Sequence, residues 1–383
     1  MTKGKRIIIA LSGGVDSSVA AFLLKKAGYN VIALFMRNWH DESLTIDNQC
    51  PWAQDSNDAL TVAEQLGIPF QIIDLSKEYE ERIIKYMMNE YKRGYTPNPD
   101  ILCNKEIKFN VFLKHAMKLK ADYIATGHYC QKEKKNNIYR LIQGQDKLKD
   151  QTYFLCQINQ EQLQKIIFPI GHLTKKEVRE IAKKNNLITA NKKDSQGLCF
   201  VGKIKLPTFL QSQIETKKGD IIEINKTSAL YQVEKKIGSE MNYNKLDGLK
   251  IGTHHGAHAF TIGQRKGITI GGRKEPLFVI GTNVKENIVF VGMGKNHPGL
   301  FRQDLKIEFE KIHWLVKKKS LSINDKKPFL VRIRHRQKLQ KAVLHMTQDY
   351  LHIIFEKKQR GISKGQFAAW YLKEELIGSG PIS

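Results

Sequence analysis

Near its start the chain has a short apolar run that meets a glycine-rich turn, and this junction restricts the fold more than any other feature. Residues 7–11 are continuously apolar, as expected of a strand buried on both faces of a parallel sheet. Ser12-Gly13-Gly14 interrupts the run, and the helix-compatible apolar spacing of Val15–Lys26 follows, with Gly28 just beyond a basic last turn. The sequence therefore predicts a strand, turn and helix whose turn can approach an anion closely.

The turn itself reads Ser12-Gly13-Gly14-Val15-Asp16-Ser17-Ser18. It lacks the Gly-Lys-Ser/Thr ending of a Walker A loop, and it is not a G-x-G-x-x-G fingerprint. It is similar to the SGGxDS pyrophosphate loop of ATP pyrophosphatases, which cleave ATP to AMP and diphosphate while adenylating a carbonyl-like oxygen. In such a loop the serine hydroxyls would hold phosphate oxygens and Asp16 would help to hold Mg²⁺. The alternative is a turn without a ligand. Two adjacent glycines disfavour it, because each glycine loses more conformational entropy on folding than any other residue.

Strands and helices alternate through the first 200 residues. Further short apolar runs at residues 31–36, 70–75 and 123–126 predict strands. Helical spacing predicts helices at residues 56–66, 79–91, 104–119 and 173–186, the last with Thr174 and Glu177 as a capping box. This alternation predicts an α/β fold with a doubly wound parallel sheet, whose ligand site lies at the carboxyl ends of the strands.

The pattern changes after about residue 205, where helical periodicity fades and glycine-rich turns separate short β-type runs. Runs at residues 277–280, 288–291, 305–309, 329–333, 342–345, 351–355 and 367–372 have strand-and-turn spacing. We therefore expect three domains: an ATP pyrophosphatase domain at 1–205, a small β-rich central domain at 206–283 and a C-terminal β-barrel at 284–383.

The chain is strongly basic. Its 383 residues include 63 lysines and arginines against 38 acidic residues, a net charge of +25, and residues 284–383 alone carry +11. A hydrophobic share of 41% excludes a largely disordered chain. The charge favours a polyanionic partner such as nucleic acid, and its density places the binding face in the C-terminal region.

Two further observations concern the compartment. No apolar run reaches the roughly 18 residues that span a bilayer, so we expect a cytoplasmic protein without a membrane partner. Five cysteines without a CxxC pair predict neither a disulfide scaffold nor a zinc or iron–sulfur site. A cysteine with a role in this chain is therefore expected to carry out redox or nucleophilic chemistry.

Cys103 and Cys199 are the candidates for that role. Cys103 lies between Pro-rich and Lys-rich residues at the predicted start of a helix, where a thiolate is favoured and the pKa of the thiol should fall. Cys199 lies in a turn-rich segment that follows lysines. The apolar and aromatic neighbours of Cys130 and Cys156 predict buried small side chains instead, and the context of Cys50 leaves both possibilities open.

Taken together, these segments resemble the tRNA-specific 2-thiouridylase family over essentially the whole chain. The resemblance is carried by residues 12–18, 35–36, 96–109, 125–129, 149–151, 193–200, 261–267, 334–337 and 365–366. It implies an enzyme that adenylates the wobble uridine of tRNA with ATP and then replaces the C2 oxygen with sulfur. It also implies that the tRNAs for Lys, Glu and Gln are the substrates, and that a sulfur-relay protein or a cysteine desulfurase is the sulfur donor.

The resemblance also implies a role for each matching residue. Cys199 would carry a persulfide, and Cys103 would be the catalytic nucleophile that ends in a transient disulfide with Cys199. The target base would meet Asn98, Pro99 and Asp100. The ATP site would consist of Ala10, Leu11, Ser12, Gly13, Gly14, Val15, Asp16, Ser17, Met36 and Gly127. The tRNA would contact His128, Lys149, Asp150, Gln151, Arg334, His335 and Gln366.

Two other functions remain as alternatives at this point. One is another ATP pyrophosphatase that adenylates a small metabolite, such as an amidotransferase-type synthetase, although the chain has no N-terminal cysteine for a glutaminase. The other is a tRNA-binding module without catalysis. An intact loop at residues 12–18 together with both cysteines disfavours the second alternative.

Overall fold

The computed structural model describes residues 4–38, 51–194, 214, 217–233 and 237–383. Cys50 and the segment from Ser195 through Cys199 lie outside the described residues. No helix in these ranges is both long enough and apolar enough to cross a membrane.

The helices, numbered along the chain, are α1 Val15–Lys26, α2 Pro51–Leu66, α3 Ser76–Tyr79, α4 Lys85–Lys92, α5 Pro99–Leu102, α6 Leu113–Lys118, α7 Gln160–Gln164 and α8 Lys175–Lys184. Two π-helical segments, Glu80–Ile84 and Cys103–Phe112, join α3 to α4 and α5 to α6. The strands are β1 Arg6–Ala10, β2 Asn30–Arg37, β3 Phe70–Asp74, β4 Tyr123–Ala125, β5 Cys130–Lys135, β6 Ile138–Gln143, β7 Ile166–Ile167, β8 Lys218–Glu223, β9 Leu249–His255, β10 Leu277–Asn283, β11 Ile288–Met293, β12 Phe301–Glu308, β13 His313–Trp314, β14 Lys326–Arg332, β15 Gln340–Met346, β16 Tyr350–Arg360, β17 Phe367–Leu372 and β18 Glu375–Pro381.

The predicted doubly wound sheet is confirmed. Five parallel strands lie in the order β3-β2-β1-β4-β7. Ile7, Ile8 and Ile9 of β1 are fully buried, as a strand covered on both faces requires. The chain leaves β1 towards β2 on one side and returns to β4 on the other, so the switch point of the topology lies between β1 and β4. A crevice opens at the carboxyl ends of strands at such a point.

The helix that carries Cys103 begins earlier than the predicted residue 104. Its first residue is Pro99, and the Asn98 side chain accepts a hydrogen bond from Ile101 N as the N-cap. Proline suits the first helical position because its φ is already helical and its missing N–H would have no partner there. The Pro-rich stretch before Cys103 is therefore a helix start, and Cys103 lies one turn inside the helix.

A hairpin within the first 200 residues departs from the predicted alternation. The strands β5 and β6 pair with each other across Asn136 and Asn137, which have φ values of 50° and 59°. Two positive φ angles suit a tight hairpin turn, and asparagine tolerates them. The lysines of residues 132–135 hide the strand pattern, because they do not alternate with apolar residues.

This hairpin belongs to the sheet of the C-terminal region. That sheet has nine strands, in the order β12-β16-β15-β14-β17-β18-β6-β5 with β13 beside β18, and Glu375 pairs with Ile142. One apolar cluster contains Cys103, Leu141 and Tyr153 together with Trp370. The central region forms a separate four-stranded sheet, ordered β10-β11-β8-β9.

Candidate active site

The glycine-rich loop after β1 is held in shape by its own serines. Ser17 Oγ donates to Gly14 O at 3.0 Å and lies 3.1 Å from Ser12 Oγ. Gly13 has a φ of +70°, and a Cβ added there would lie 2.0 Å from the backbone oxygen of Asp55. Only glycine can occupy that position without moving α2.

The helix that follows the loop, α1, begins without a side-chain cap from the described residues. Its N-cap is Gly14. The first N–H groups of a helix need partners, and together with the helix dipole they favour an anion. A phosphate group fits this loop.

Gly127 lies against the same loop from β4. A Cβ on Gly127 would come within 2.7 Å of Ser17 N and 2.8 Å of the Asp16 carbonyl carbon. The switch point thus brings together the predicted ATP residues of the loop and Gly127, which are more than 100 residues apart in the chain. Met36, the remaining predicted ATP residue, is 1% exposed within the apolar cluster that also contains Ala10.

Asp16 is already engaged by protein groups. Lys175 Nζ donates to both of its carboxylate oxygens, at 2.7 and 2.8 Å. The Tyr129 hydroxyl donates to Oδ1 at 2.7 Å, and burial together with the charge of Asp16 raises the pKa of Tyr129. A metal ion could therefore bind Asp16 only if Lys175 moved aside.

Asp194 continues this network towards the predicted tRNA contacts. Its carboxylate pairs with Lys175 at 2.8 Å, with Lys149 at 2.7 Å and with Arg179 at 3.1 Å. Partial burial opposes its ionisation, but the hydrogen bonds from Lys149 and Lys175 outweigh that effect and lower the pKa of Asp194 to about 2. Residues 149 and 194 are thus tied to the nucleotide loop through one lysine.

A second lysine ties the same region to the back of the loop. Lys192 Nζ donates to Gly13 O at 2.9 Å and to Asp55 Oδ1 at 2.7 Å, and it also pairs with Asp58. The chain immediately before residue 195 is therefore anchored on the nucleotide loop twice.

The predicted target-base segment meets the predicted tRNA contact Gln366. Asn98 Nδ2 donates to Gln366 Oε1 at 3.3 Å, and Gln366 Nε2 donates to Thr96 O at 3.1 Å. Thr96 Oγ1 also lies 3.2 Å from Thr261 Oγ1 of the central region. Cys103, one turn further along the helix, is fully buried.

The segment 149–151 is a structural hub as well as a predicted tRNA contact. Asp150 is 2% exposed and pairs with Arg332 at 2.9 Å, while Tyr129 N donates to Gln151 Oε1 at 3.0 Å. His335 Nε2 donates to the backbone oxygen of Asp150 at 3.1 Å. The structure therefore brings together two predicted tRNA segments, 149–151 and 334–335. The Asp150 and Gln151 side chains, however, bind other groups of the protein.

Two predicted tRNA contacts are buried or engaged by the protein. His128 is 8% exposed, its Nδ1 lies 2.7 Å from Thr126 Oγ1, and burial lowers the pKa of its ring. The Arg334 guanidinium donates to the backbone oxygen of Gly361, and burial lowers its pKa. Their contact with tRNA stays a prediction. Cys130 and Cys156 are fully buried, as predicted, and burial raises the pKa of both thiols.

Sequence reasoning gave no role to Lys175, Tyr129, Lys192 or Asp194. One signal was available for Lys175. It is the first residue of α8, directly after the Thr174 cap, where the helix dipole disfavours a cation. An acid nearby offsets this unfavourable effect, and Asp16 and Asp194 both pair with Lys175.

Comparison with known proteins gives the family. Residues 5–203 match the family model described as a tRNA methyl transferase HUP domain, residues 207–293 a tRNA methyl transferase PRC-barrel domain, and residues 304–382 an aminomethyltransferase beta-barrel domain. A 4-thiouridine synthetase in an RNA complex with bound ATP is similar in structure over 55% of this chain and 50% of its own, at 19% identity and a TM-score of 0.33. This similarity is too low to assign a role to any residue of this chain.

The curated relatives match over nearly their whole length. The tRNA-specific 2-thiouridylase MnmA of Flavobacterium johnsoniae is 54% identical over 99% of this chain and 100% of its own. The protein of the same name from Bacillus subtilis is 40% identical over 98% of this chain and 94% of its own. The chain belongs to the tRNA-specific 2-thiouridylase family.

Proposed function

We propose that the protein replaces the C2 oxygen of the wobble uridine of tRNA, U34, with sulfur, using ATP that is released as AMP and diphosphate. The observation that carries this proposal is the full-length identity to tRNA-specific 2-thiouridylases. The nucleotide loop supports it, because its uncapped helix start suits a phosphate.

The first step activates the base. The C2 oxygen of uracil is a poor leaving group, so it attacks the α-phosphate of ATP and diphosphate leaves. Residues 10–17 and Gly127 hold the phosphates through backbone N–H groups and serine hydroxyls, and Met36 lies at the adenine or ribose. Asp16 is the acid of the loop that would hold Mg²⁺ once Lys175 moved aside, and the ion would neutralise phosphate charge.

The second step transfers sulfur. Cys199 carries a persulfide whose terminal sulfur bonds to C2, and AMP leaves with the former C2 oxygen. The Cys103 thiolate then attacks the Cys199 sulfur and breaks its bond to the transferred sulfur, so that a Cys103–Cys199 disulfide remains. A two-electron reductant restores both thiols. Because Cys103 is fully buried, the residues that cover its sulfur must give access to it for this step.

The proposed partners are those that the resemblance to the family implies. The target uridine leaves the anticodon stack and meets Asn98, Pro99 and Asp100. Residues 149–151, 334–335, His128 and Gln366 contact the tRNA, for which the buried His128 and Asp150 must become accessible, and the acceptors are tRNAs for Lys, Glu and Gln. A cysteine desulfurase or sulfur-relay protein supplies the persulfide. Since the substrate is tRNA, we place the reaction in the cytoplasm.

The proposal is tested by one reconstitution. The purified protein is incubated with ATP, Mg²⁺, a persulfide donor and unmodified tRNA, and the digested RNA is analysed by mass spectrometry. We expect 2-thiouridine at the wobble position and one AMP for each sulfur transferred. AMP formation without thiolated RNA would instead indicate an ATP pyrophosphatase with another substrate.

Matched cysteine variants separate the roles of the thiols. Cys103→Ala should abolish thiolation, whereas Cys130→Ala removes another fully buried thiol and should leave the rate within about threefold of wild type. Cys199→Ser should prevent a persulfide from forming on the protein. Normal thiolation by the Cys199→Ser variant would show that this residue does not carry the sulfur.

A further inference from the structure

A cavity of about 680 Å³ lies where the three parts of the chain meet, away from the nucleotide loop. Its walls come from the segment after α4, from the central sheet, and from the C-terminal sheet with the loop before β17. Its volume is within the roughly 300–1,000 Å³ of small-ligand sites. Thr96 forms part of the wall and lies two residues before Asn98, so the cavity adjoins the proposed target-base segment.

The cavity wall is strongly basic. Five lysines and arginines contribute to it, whereas Glu240 is its one acid among the described residues. Glu240 lies between Lys364, at 2.9 Å, and Arg302, at 2.8 Å, and so fixes both cations in place. Arg93 pairs in turn with Glu90, at 2.9 Å, so the five cations face two acids, and the excess of positive charge favours an anionic ligand such as a phosphodiester.

Tyr95 supplies an aromatic ring in the same wall. The Arg93 guanidinium lies over this ring, 4.8 Å from its centre, and Lys364 Nζ lies over it at 5.8 Å. The Thr96 N–H donates to Lys364 O at 2.8 Å, which holds the Tyr95 segment against the C-terminal region. Proteins stack the bases of single-stranded RNA on aromatic rings in basic grooves, and a base that stacks on Tyr95 would displace a cation from the ring towards its own phosphate.

We propose that this junction cavity binds a nucleotide adjacent to the target uridine, with its base against Tyr95 and its phosphate towards Arg93 and Lys364. The inference rests on the proposed function and extends it to the RNA that flanks the reacting base. An anticodon loop is unpaired, so its bases are open to stacking. The backbone connection is short, because Tyr95 is three residues from Asn98.

The test uses anticodon stem-loop RNAs. One is unmodified, one has an abasic nucleotide on the 5′ side of the target uridine, and one has it on the 3′ side. Dissociation constants are measured for the full chain, for Tyr95→Ala and for Tyr95→Phe. Phe309→Ala is the control, because Phe309 is an exposed aromatic residue, 47% accessible, that is not part of the cavity wall.

We expect Tyr95→Ala to weaken binding of the unmodified RNA by about 5- to 150-fold, the range for loss of one base stack. Tyr95→Phe keeps the ring and should bind within about threefold of wild type, as should Phe309→Ala. The loss caused by Tyr95→Ala should disappear on one of the two abasic RNAs, and that RNA identifies the stacked nucleotide.

Two outcomes would overturn the inference: unchanged binding of the unmodified RNA by Tyr95→Ala, or the same loss on both abasic RNAs. The proposed function is read separately, by mass spectrometry of the unmodified RNA after incubation with wild-type protein, ATP and a persulfide donor. Tight RNA binding with the expected Tyr95 pattern but no 2-thiouridine would refute the proposed function and leave the cavity assignment standing.

Discussion

Gly14 offers a direct test of how closely phosphate approaches the nucleotide loop. A Cβ added at Gly14 meets only Ser12 Oγ, at 3.6 Å, which is ordinary van der Waals contact. Its φ of −98° and ψ of 159° are open to any residue. The protein itself therefore accommodates Gly14→Ala, and the loss in free energy of unfolding should stay at about 1 kcal/mol or less, the cost of a poorer helix cap.

The effect on ATP should be much larger. A methyl group at the helix start would hold a phosphate away from the loop and remove one charge-assisted hydrogen bond, which contributes about 1.5–3 kcal/mol. The dissociation constant for ATP should then rise by about 10- to 150-fold. Isothermal titration calorimetry measures this constant, and urea denaturation measures the stability.

Gly271→Ala is the matched control, because a Cβ there meets nothing within 4 Å. It should change neither measurement. If Gly14→Ala binds ATP as wild type does, phosphate does not contact this part of the loop, and the assignment of the ATP site to residues 10–17 is wrong.

Further predictions concern the ion pairs and the basic charge. Lys175→Met should lower ATP-dependent diphosphate release at least tenfold, because the nucleotide loop loses the cation that joins Asp16 to Asp194; Lys175→Arg should restore part of the rate, and Lys176→Met, which alters a side chain that is 88% exposed, should have no effect. Equal rates for the Lys175 and Lys176 variants would contradict this role. Arg332→Met leaves Asp150 buried without its cation and should cost about 3–5 kcal/mol of unfolding free energy in urea, whereas Lys341→Met, at a position 79% exposed, should cost less than about 1 kcal/mol. Raising salt from about 50 to 200 mM should weaken tRNA binding at least about a thousandfold if six or more phosphates are contacted, and a flat response in a filter-binding assay would mean that the net charge of +25 does not form the binding face.

The parts of the fold with strong local patterns could be predicted from the sequence. The apolar run of β1, the glycines after it and the Thr174–Glu177 capping box each depend on residues within a few positions of one another. The structure confirms α1 at Val15–Lys26 and the doubly wound sheet for this reason.

The remaining features depend on contacts between distant residues. The bond between Asp16 and Lys175 joins positions 159 residues apart, and that between Asn98 and Gln366 joins positions 268 apart. No local sequence pattern predicts a pair at such a separation. The hairpin of β5 and β6 was missed for the same reason, because its lysine-rich first strand is stabilised by its place in the C-terminal sheet and not by its own composition.

The place of that hairpin has a consequence for synthesis of the protein on the ribosome. The β6 strand pairs with Glu375 and Leu376, and the Thr96 segment is held by Lys364 and Gln366. All four of these partner residues belong to the last twenty residues of this 383-residue sequence. The nucleotide loop can therefore form early during translation. The segment proposed to receive the base can make its hydrogen bonds to Lys364 and Gln366 only after these residues have left the ribosome. A chain cut short near its end would retain the loop that binds phosphate and lack the support for its RNA site.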